Sequence, residues 1–308
     1  MYELVIIGGG PAGVTAGIYA ARKKIRTALV TDTFGGQSLV SSDIQNWIGT
    51  ISISGFELGK SLEKHLRAQE GIDIIDGDNV TEISDNTAQK IFTIKTKQGR
   101  TLETRFLLVT SGSRRRRLGV PGESELDGKG VAYCSICDAP LFRGKDVVVI
   151  GSGNSGLEAV RDLLPYAKNI FILDKVNGLR GDKTTQEKIL KEKNVQTILG
   201  VDVLDIFGSP MVQGLHFKKG DGDPQALSVG GVFIEIGLMP NSDIVRNFVK
   251  LNEYGAIIVD AKTQRASNPR IWAAGDVSDG LYRQNNISVG DAVKAVLNIH
   301  DSLHSGVV

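Results

Sequence analysis

Cysteine is nearly absent: the 308 residues contain two, Cys134 and Cys137, in the stretch Tyr133-Cys134-Ser135-Ile136-Cys137-Asp138. A disulfide-stapled secreted scaffold is therefore excluded, and a lone CxxC in a reducing compartment points to redox or metal chemistry. Histidine is also scarce, with four residues. A structural zinc site wants four ligands. His65 and His216 are isolated, and His300 and His304, one helical turn apart, lie far from the cysteines in sequence. No metal site is expected. Excess charge of one sign is missing too: 36 Lys+Arg against 35 Asp+Glu leave a net charge of +1. That balance gives no global pull toward nucleic acid or an anionic membrane, and neither is expected as a partner. No apolar run approaches the ~20 residues that span a bilayer. The start, Met1-Tyr-Glu-Leu-Val-Ile-Ile7, lacks a basic leader and runs straight into a strand pattern. A cytoplasmic location is expected.

What is present is glycine, in two fingerprints. Leu4–Ile7 is a short apolar run, as in a strand buried on both faces of a parallel sheet. Gly8-Gly-Gly10-Pro11-Ala12-Gly13 follows, with Pro11 near the first turn of a helix, where a missing N–H is harmless. Gly8 makes the tight turn, Gly10 lets backbone approach a pyrophosphate, and Gly13 permits close contact of helix and strand. The next strand, Thr27–Thr31, ends at Asp32, nineteen positions after Gly13, where an acid can accept from a ribose 2′-OH. The pattern recurs after the cysteines. Asp146–Ile150 leads into Gly151-Ser-Gly153-Asn154-Ser155-Gly156, and the strand after it closes at Asp174. A carboxylate there pairs with a free 2′-OH and repels a 2′-phosphate, so NADH is expected over NADPH, with Lys175 and Arg180 close by.

Between these units the period changes. Residues 72–105 and 195–219 alternate in short segments punctuated by turns, and each is read as a β-meander. Phe56–Gln69 reads as an amphipathic helix, Lys183–Lys193 as a charged helix, and a last helix starts at about Ser288. The whole is α/β: two nucleotide-binding Rossmann-like domains with inserted β-meanders, the second inserted into the first. Residues 1–113 and 246–308 are expected to form the first domain, and 114–245 the second, carrying the CxxC. Arg114–Arg117, the only dense charge run, reads as a solvated linker loop.

Two dinucleotide sites flanking a dithiol favour a relay of electrons from nicotinamide to flavin to disulfide. Cys134 and Cys137, at i and i+3, can share one face of a helical turn, and a thiol near a helix N-terminus has a lowered pKa. Asp138 has two readings: an acid favouring the helix dipole, or a general acid handling the proton of thiol–flavin transfer.

The ordered set GGGPAG, GGQ, NWIG, CSICD, GSGNSG, AAGDV and YRQ resembles the low-molecular-weight thioredoxin reductase family over nearly the whole chain. Within it, Phe34-Gly35-Gly36-Gln37, Cys137-Asp-Ala-Pro-Leu-Phe-Arg-Gly144 and Ile236-Gly-Leu-Met-Pro-Asn241 are most similar to the flavoprotein subunit of alkyl hydroperoxide reductase, typically NADH-linked. The resemblance implies FAD on the first domain, a pyridine nucleotide on the second, and a homodimer. It implies that Cys137 faces the flavin, that Cys134 attacks the disulfide of the acceptor protein, and that Asp138 is the proton donor. It assigns Gly35, Gly36, Gln37, Asn46, Val80, Gly275 and Asp276 to the FAD side, with Arg283, Gln284 and Asn285 on the segment along the flavin ring. It further implies that the domains swivel about linkers near 114–120 and 240–246, which puts the arginine run at a hinge, where it could help dock an acidic partner.

The departures are informative. The arginine motif HRRxxxR after the second fingerprint is replaced by Asp174-Lys-Val-Asn-Gly-Leu-Arg180. Asn285-Asn286 and Ser111 differ from the small or apolar residues and the threonine usual there. The peroxide-system flavoprotein carries thioredoxin-like domains ahead of this region with their own CxxC. This sequence starts at the FAD strand without a second CxxC, so its electrons are expected to leave to a separate thioredoxin- or glutaredoxin-like protein. The rivals are a reductase fed by another donor such as ferredoxin, a dithiol oxidase using oxygen, and an FAD-dependent scaffold without turnover.

Overall fold

The computed structural model describes residues 1–41 and 44–305, apart from the side chain of Cys137. The chain divides into two compact units, Met1–Arg114 with Met239–Val308, and Arg115–Leu238.

In the first unit, parallel strands Ile72–Asp76, Thr27–Phe34, Tyr2–Gly9 and Thr101–Val109 lie side by side in that order. Ile271–Ala273 extends the parallel sheet beside Leu107–Val109. The other half of the same long strand, Thr101–Thr104, pairs antiparallel with Ile91–Thr96, which pairs with Val80–Asn86. One strand therefore serves both the Rossmann sheet and the meander. The period-2 pleat divides its residues between two cores. Leu4, Ile6, Leu29, Phe106 and Leu108 pack under the helices Pro11–Arg22, Gly55–Arg67 and Asn285–His304. Val5, Ile7, Ala28, Val30, Leu107 and Val109 face Ile83, Phe92 and Ile94 of the meander and Val245, Val249 and Ile257. The small-residue face of Pro11–Arg22 is required: a Cβ at Gly17 would meet Leu66 Cδ1 at 2.6 Å. Gly55–Arg67 begins in a capping box, Ser54 with Glu57.

The second unit repeats the plan. Five parallel strands run in the order Val195–Leu199, Asn169–Asp174, Asp146–Ile150, Gly231–Ile234 and Val131–Ala132. The helix Asn154–Leu163 covers one face, and the antiparallel strands Asp202–Gly208, Val212–Lys218 and Gln225–Ser228 contribute to the core on the other.

Two expected meanders start too early. Ile72–Asp76 and Val195–Leu199 are edge strands of the parallel sheets, and each meander begins after them. An edge strand covered on one face alternates like a meander strand, so periodicity does not reveal its partner. The charged helix stops at Ile189, and the last helix begins at Asn285. Among the described residues no helix is long and apolar enough to cross a membrane.

Candidate active site

In both units a glycine fingerprint joins a central parallel strand, Tyr2–Gly9 or Asp146–Ile150, to a helix, and the three glycines meet three different constraints. Gly8 and Gly151 have φ of +115° and +113°, and a Cβ on either would strike a backbone oxygen, of Thr110 at 2.5 Å or of Glu235 at 2.3 Å. Gly13 and Gly156 touch their own turns: a Cβ would lie 1.8 Å from Gly8 O and 1.9 Å from Gly151 O. The middle glycines are open. A Cβ at Gly10 has only Gly36 Cα near it, at 3.8 Å, and at Gly153 nothing lies within 4 Å. Space is thus kept bare at the helix N-termini. Among the described residues neither Pro11–Arg22 nor Asn154–Leu163 has a side-chain cap, so the first N–H groups of each are left available to an anion. This fits the pyrophosphate of a dinucleotide in each unit.

Around the first fingerprint the structure gathers residues from distant parts of the chain. Gly35 and Gly36 both have positive φ, and Gly36 lies against Gly10. Ser38 Oγ, one residue past Gln37, donates to Asn285 Oδ1 at 3.1 Å; Asn46 Nδ2 donates to Gln284 Oε1 at 3.1 Å; Asn286 Nδ2 donates to Asn46 O at 2.7 Å. The two asparagines that depart from the family pattern, with Gln284, thus tie the start of the last helix to the GGQ and NWIG loops. Gly275, at φ +76°, sits beside Ala12 of the fingerprint helix. Its neighbour Asp276 accepts from Ser113 Oγ at 3.4 Å. Burial raises the Asp276 pKa, and the charge of Arg283 opposes this. Asp32 is exposed, two residues before the end of the strand Thr27–Phe34, which runs on past the expected end at Asp32. Val80 opens the meander two residues after Asp78, whose N–H donates to Thr31 O. Ser111 donates through its hydroxyl to Asn241 O at 2.7 Å, so the departure from threonine keeps a hydroxyl in use.

The second fingerprint has a tighter acid. Asp174 is buried, and Oδ2 accepts from Ser152 N at 2.7 Å, Ser152 Oγ at 2.5 Å and Arg180 Nη2 at 2.9 Å. Val176 N donates to Oδ1 at 3.1 Å. Burial works against ionisation, but the bonds from Ser152, Val176 and Arg180 outweigh it and hold the carboxyl below its ordinary range. Asp174 therefore also ties down the loop, a role spacing alone did not show. Lys175 is turned to Asp202 at 3.1 Å, and Asn154 Oδ1 accepts from Asp182 N at 2.8 Å.

Cys134 is disulfide-bonded and precedes the four-residue helix Ser135–Asp138. The Cys137 side chain lies outside the described residues. The turn is anchored to the fingerprint helix: Ser135 Oγ donates to Asp162 Oδ2 at 2.7 Å. On its other side, Tyr133 donates to Glu123 Oε1 at 2.7 Å and accepts from Arg117 Nη1 at 2.7 Å. Arg117 also pairs with Asp127 at 2.9 Å. Glu123, 2% exposed, takes the Leu118 and Gly119 N–H groups as well.

The reading of Arg114–Arg117 as a solvated linker holds for Arg114, Arg116 and Arg117, which are exposed, and fails for Arg115. Arg114 bonds Asn241 Oδ1 at 2.7 Å, Arg117 holds Tyr133, and Arg115 is half-buried. Arg115 faces a cavity of about 380 Å³ within the second unit, lined also by Cys134, Ser155, Glu158, Asp162 and Glu235. The Asp138 pKa is raised by burial, against the pull of the Arg115 charge. Glu235, which no motif pointed to, is pushed up to about 7 by burial; Arg115 opposes the shift, and the charges of Asp162 and Glu158 add to it. The signal for it was a lone acid at the end of the buried strand Gly231–Ile234. Among the described residues, no group of three or more His, Cys, Asp or Glu could hold a metal ion.

Residues 2–294 match the family described as pyridine nucleotide-disulphide oxidoreductase. The chain is 38% identical over 304 residues to an alkyl hydroperoxide reductase subunit of Xanthomonas campestris pv. phaseoli, covering 98% of this chain and 57% of that protein. It is 37% identical to a protein named NADH dehydrogenase of Bacillus subtilis, covering 98% of this chain and 58% of that one. It thus spans a little over half the length of these relatives. Among solved structures, thioredoxin reductase from Streptococcus pyogenes MGAS5005 superposes with a TM-score of 0.82 at 32% identity, over 99% of both chains. That from T. acidophilum gives 0.72 at 36%, again over 99% of both. With two fingerprinted Rossmann units, a disulfide-bonded cysteine in the second, and these likenesses along its length, the chain belongs to the pyridine nucleotide-disulphide oxidoreductases.

Proposed function

We propose that the chain is a flavin-dependent disulfide reductase that takes electrons from NAD(P)H, NADH preferred, and passes them through the Cys134–Cys137 pair to a thioredoxin- or glutaredoxin-like protein. The observation that carries this reading is the disulfide-bonded Cys134 beside a cavity that also reaches Ser155 and Glu158 of the second fingerprint helix. A redox-active sulfur and a dinucleotide loop then share one unit.

In this reading the first unit holds FAD. The bare Gly10 and the uncapped Pro11–Arg22 helix receive the pyrophosphate, Asp32 the ribose, and the Ser38–Asn285 and Asn46–Gln284 bonds fix the loops along the ring. Bound flavin supplies two-electron chemistry between a nicotinamide and a disulfide. The second unit holds the nicotinamide dinucleotide at Gly151–Gly156. Asp174, kept ionised, disfavours a 2′-phosphate. Asp138 delivers the proton as the sulfur pair opens. The resemblance to thioredoxin reductases supports a homodimer, and a reversible dithiol suits the reducing cytoplasm.

Anaerobic titration with NADH and then NADPH tests the reading. Bleaching of the flavin band at lower NADH than NADPH is expected, followed by recovery of the band on adding an oxidised thioredoxin. Equal or better kcat/KM with NADPH removes the NADH preference, and a protein that refuses FAD on reconstitution removes the whole reading.

A further inference from the structure

Arg180 is built onto the second fingerprint by its own backbone. Its N–H and that of Gly181 both donate to Ser152 O, at 3.0 and 2.9 Å. Gly181 packs against the fingerprint helix: a Cβ there would meet Leu157 Cδ1 at 2.3 Å. Asp182 N donates to Asn154 Oδ1 at 2.8 Å, and Gln186 Nε2 donates to Leu179 O at 3.2 Å and Gly181 O at 2.6 Å. Backbone 179–182 is therefore fastened to the glycine turn. From there the Arg180 side chain reaches Asp174, Nη2 to Oδ2 at 2.9 Å. The two partners differ in exposure: the Asp174 side chain is 5% exposed and that of Arg180 55%. The acid is covered, and the arginine is the member of the pair that meets solvent. A carboxylate offers about four lone-pair positions. Four donors already reach Asp174, namely Ser152 N, Ser152 Oγ, Val176 N and Arg180 Nη2, which leaves little acceptor capacity for a ribose hydroxyl. A guanidinium carries five N–H donors. Among the described residues Asp174 is the one side chain that takes a bond from Arg180. Lys175 is turned instead to Asp202.

We propose that Arg180 is a specificity-determining residue, a latent anchor for a 2′-phosphate that Asp174 masks: the preference for NADH is set by pairing this arginine rather than by lacking one. The inference rests on the reading that the second fingerprint holds the nicotinamide dinucleotide. An arginine near the ribose accommodates a 2′-phosphate, and the planar guanidinium fork matches phosphate oxygens. Here a carboxylate already holds that fork, and Ser152 and Val176 hold the carboxylate in place. A 2′-phosphate must compete for Arg180 with a fixed anion and is repelled by the same charge. A dinucleotide with a free 2′-OH requires no such exchange. Removing the charge of Asp174 releases Arg180 and shifts the preference toward the 2′-phosphate with no basic residue added.

The test is calorimetric titration of the FAD-loaded protein with ADP-ribose and with 2′-phospho-ADP-ribose, which carry no nicotinamide and so bind without electron transfer. The parent is expected to bind ADP-ribose more tightly. Asp174→Asn is expected to move the ratio of the two dissociation constants toward the phosphorylated probe by about tenfold or more, the scale of a released charge-assisted bond. Adding Arg180→Gln to that variant is expected to remove the gain. Arg180→Gln alone leaves the acid uncompensated and is expected to weaken the phosphorylated probe by about threefold or more while ADP-ribose holds its affinity. Arg180 is largely at the surface, so this variant keeps the test decisive should Asp174→Asn fail to fold. A gain in Asp174→Asn that survives the loss of Arg180, or a ratio unmoved by Arg180→Gln, overturns the proposal while leaving the nucleotide site standing. Failure of the parent to bind either probe removes the nucleotide reading of the second fingerprint, and this inference with it.

Discussion

At the scale of single residues, the second unit contains two acids pushed in opposite directions by one physical balance. Asp174 and Glu235 are both withdrawn from water, yet Asp174 accepts four hydrogen bonds and Glu235 accepts none from the described residues. Hydrogen bonds to the charged form decide the sign. Glu235 therefore carries a stability prediction. Its pKa is 4.5 in an exposed chain and about 7 in the fold, so the folded state binds the extra proton between those values. Stability is undiminished below pH 4.5, falls as pH rises toward about 7, and stays lowered beyond. Glu235→Gln is expected to be more stable than the parent at pH 8, by a few kcal/mol at most, with the gap closing toward pH 5. Denaturant unfolding at the two pH values checks this; a gap that does not vary with pH contradicts it.

At the scale of elements, the first unit joins its meander to its last parallel strand by one buried ion pair. Arg270, immediately before Ile271–Ala273, places Nη2 at 2.6 Å from each oxygen of Asp85, in the strand Val80–Asn86. The guanidinium also lies 4.3 Å above the Phe92 ring. Both side chains are about nine-tenths buried, at 8% and 10% exposed. Removing the acid strands a buried cation, which in general costs about 3–5 kcal/mol. Asp85→Ala is expected to lower stability by that order in equilibrium unfolding of the holoprotein; a change under about 1 kcal/mol would show that water reaches Arg270 in the fold. The same scale explains the arginine run. Four like residues in a row read as one solvated patch, but the strand and turn there send Arg114, Arg115 and Arg117 to different partners. Alternation of side-chain direction along extended backbone divides a run that composition treats as uniform.

At the scale of the whole molecule, each unit carries its own glycine fingerprint, and the disulfide-bonded Cys134 belongs to the second. Loading of FAD and reduction of the sulfur pair are then separable. Cys134→Ser is expected to leave FAD content and NADH-driven flavin bleaching intact while stopping turnover with any protein disulfide, a loss of at least ~10³-fold, as for removal of a nucleophile. Stopped-flow absorbance for the first and turnover with oxidised thioredoxin for the second make the comparison. Loss of flavin bleaching in this variant would show that the sulfur is needed earlier, for assembly of the flavin site.

The fingerprints were legible because their constraints are local. A tight turn, a bare approach and a helix packed on its own turn involve residues within six positions, as the clashes of Gly13 with Gly8 and of Gly156 with Gly151 show, whereas the clashes of Gly8 with Thr110 and of Gly151 with Glu235 come from the neighbouring strand ends. The parallel strands were legible for the same reason: burial on both faces imposes an apolar run whatever the partner. The tertiary structure decided what depends on approach in space. It assigned Ile72–Asp76 and Val195–Leu199 to parallel sheets, joined Asn46 and Ser38 to the start of the last helix, turned Asp174 into a clamp on its loop, and set Glu235 and Arg115 beside Cys134. Pairing, burial and charge coupling are properties of neighbours in space, and spacing along the chain carries them only when those neighbours are also close in sequence.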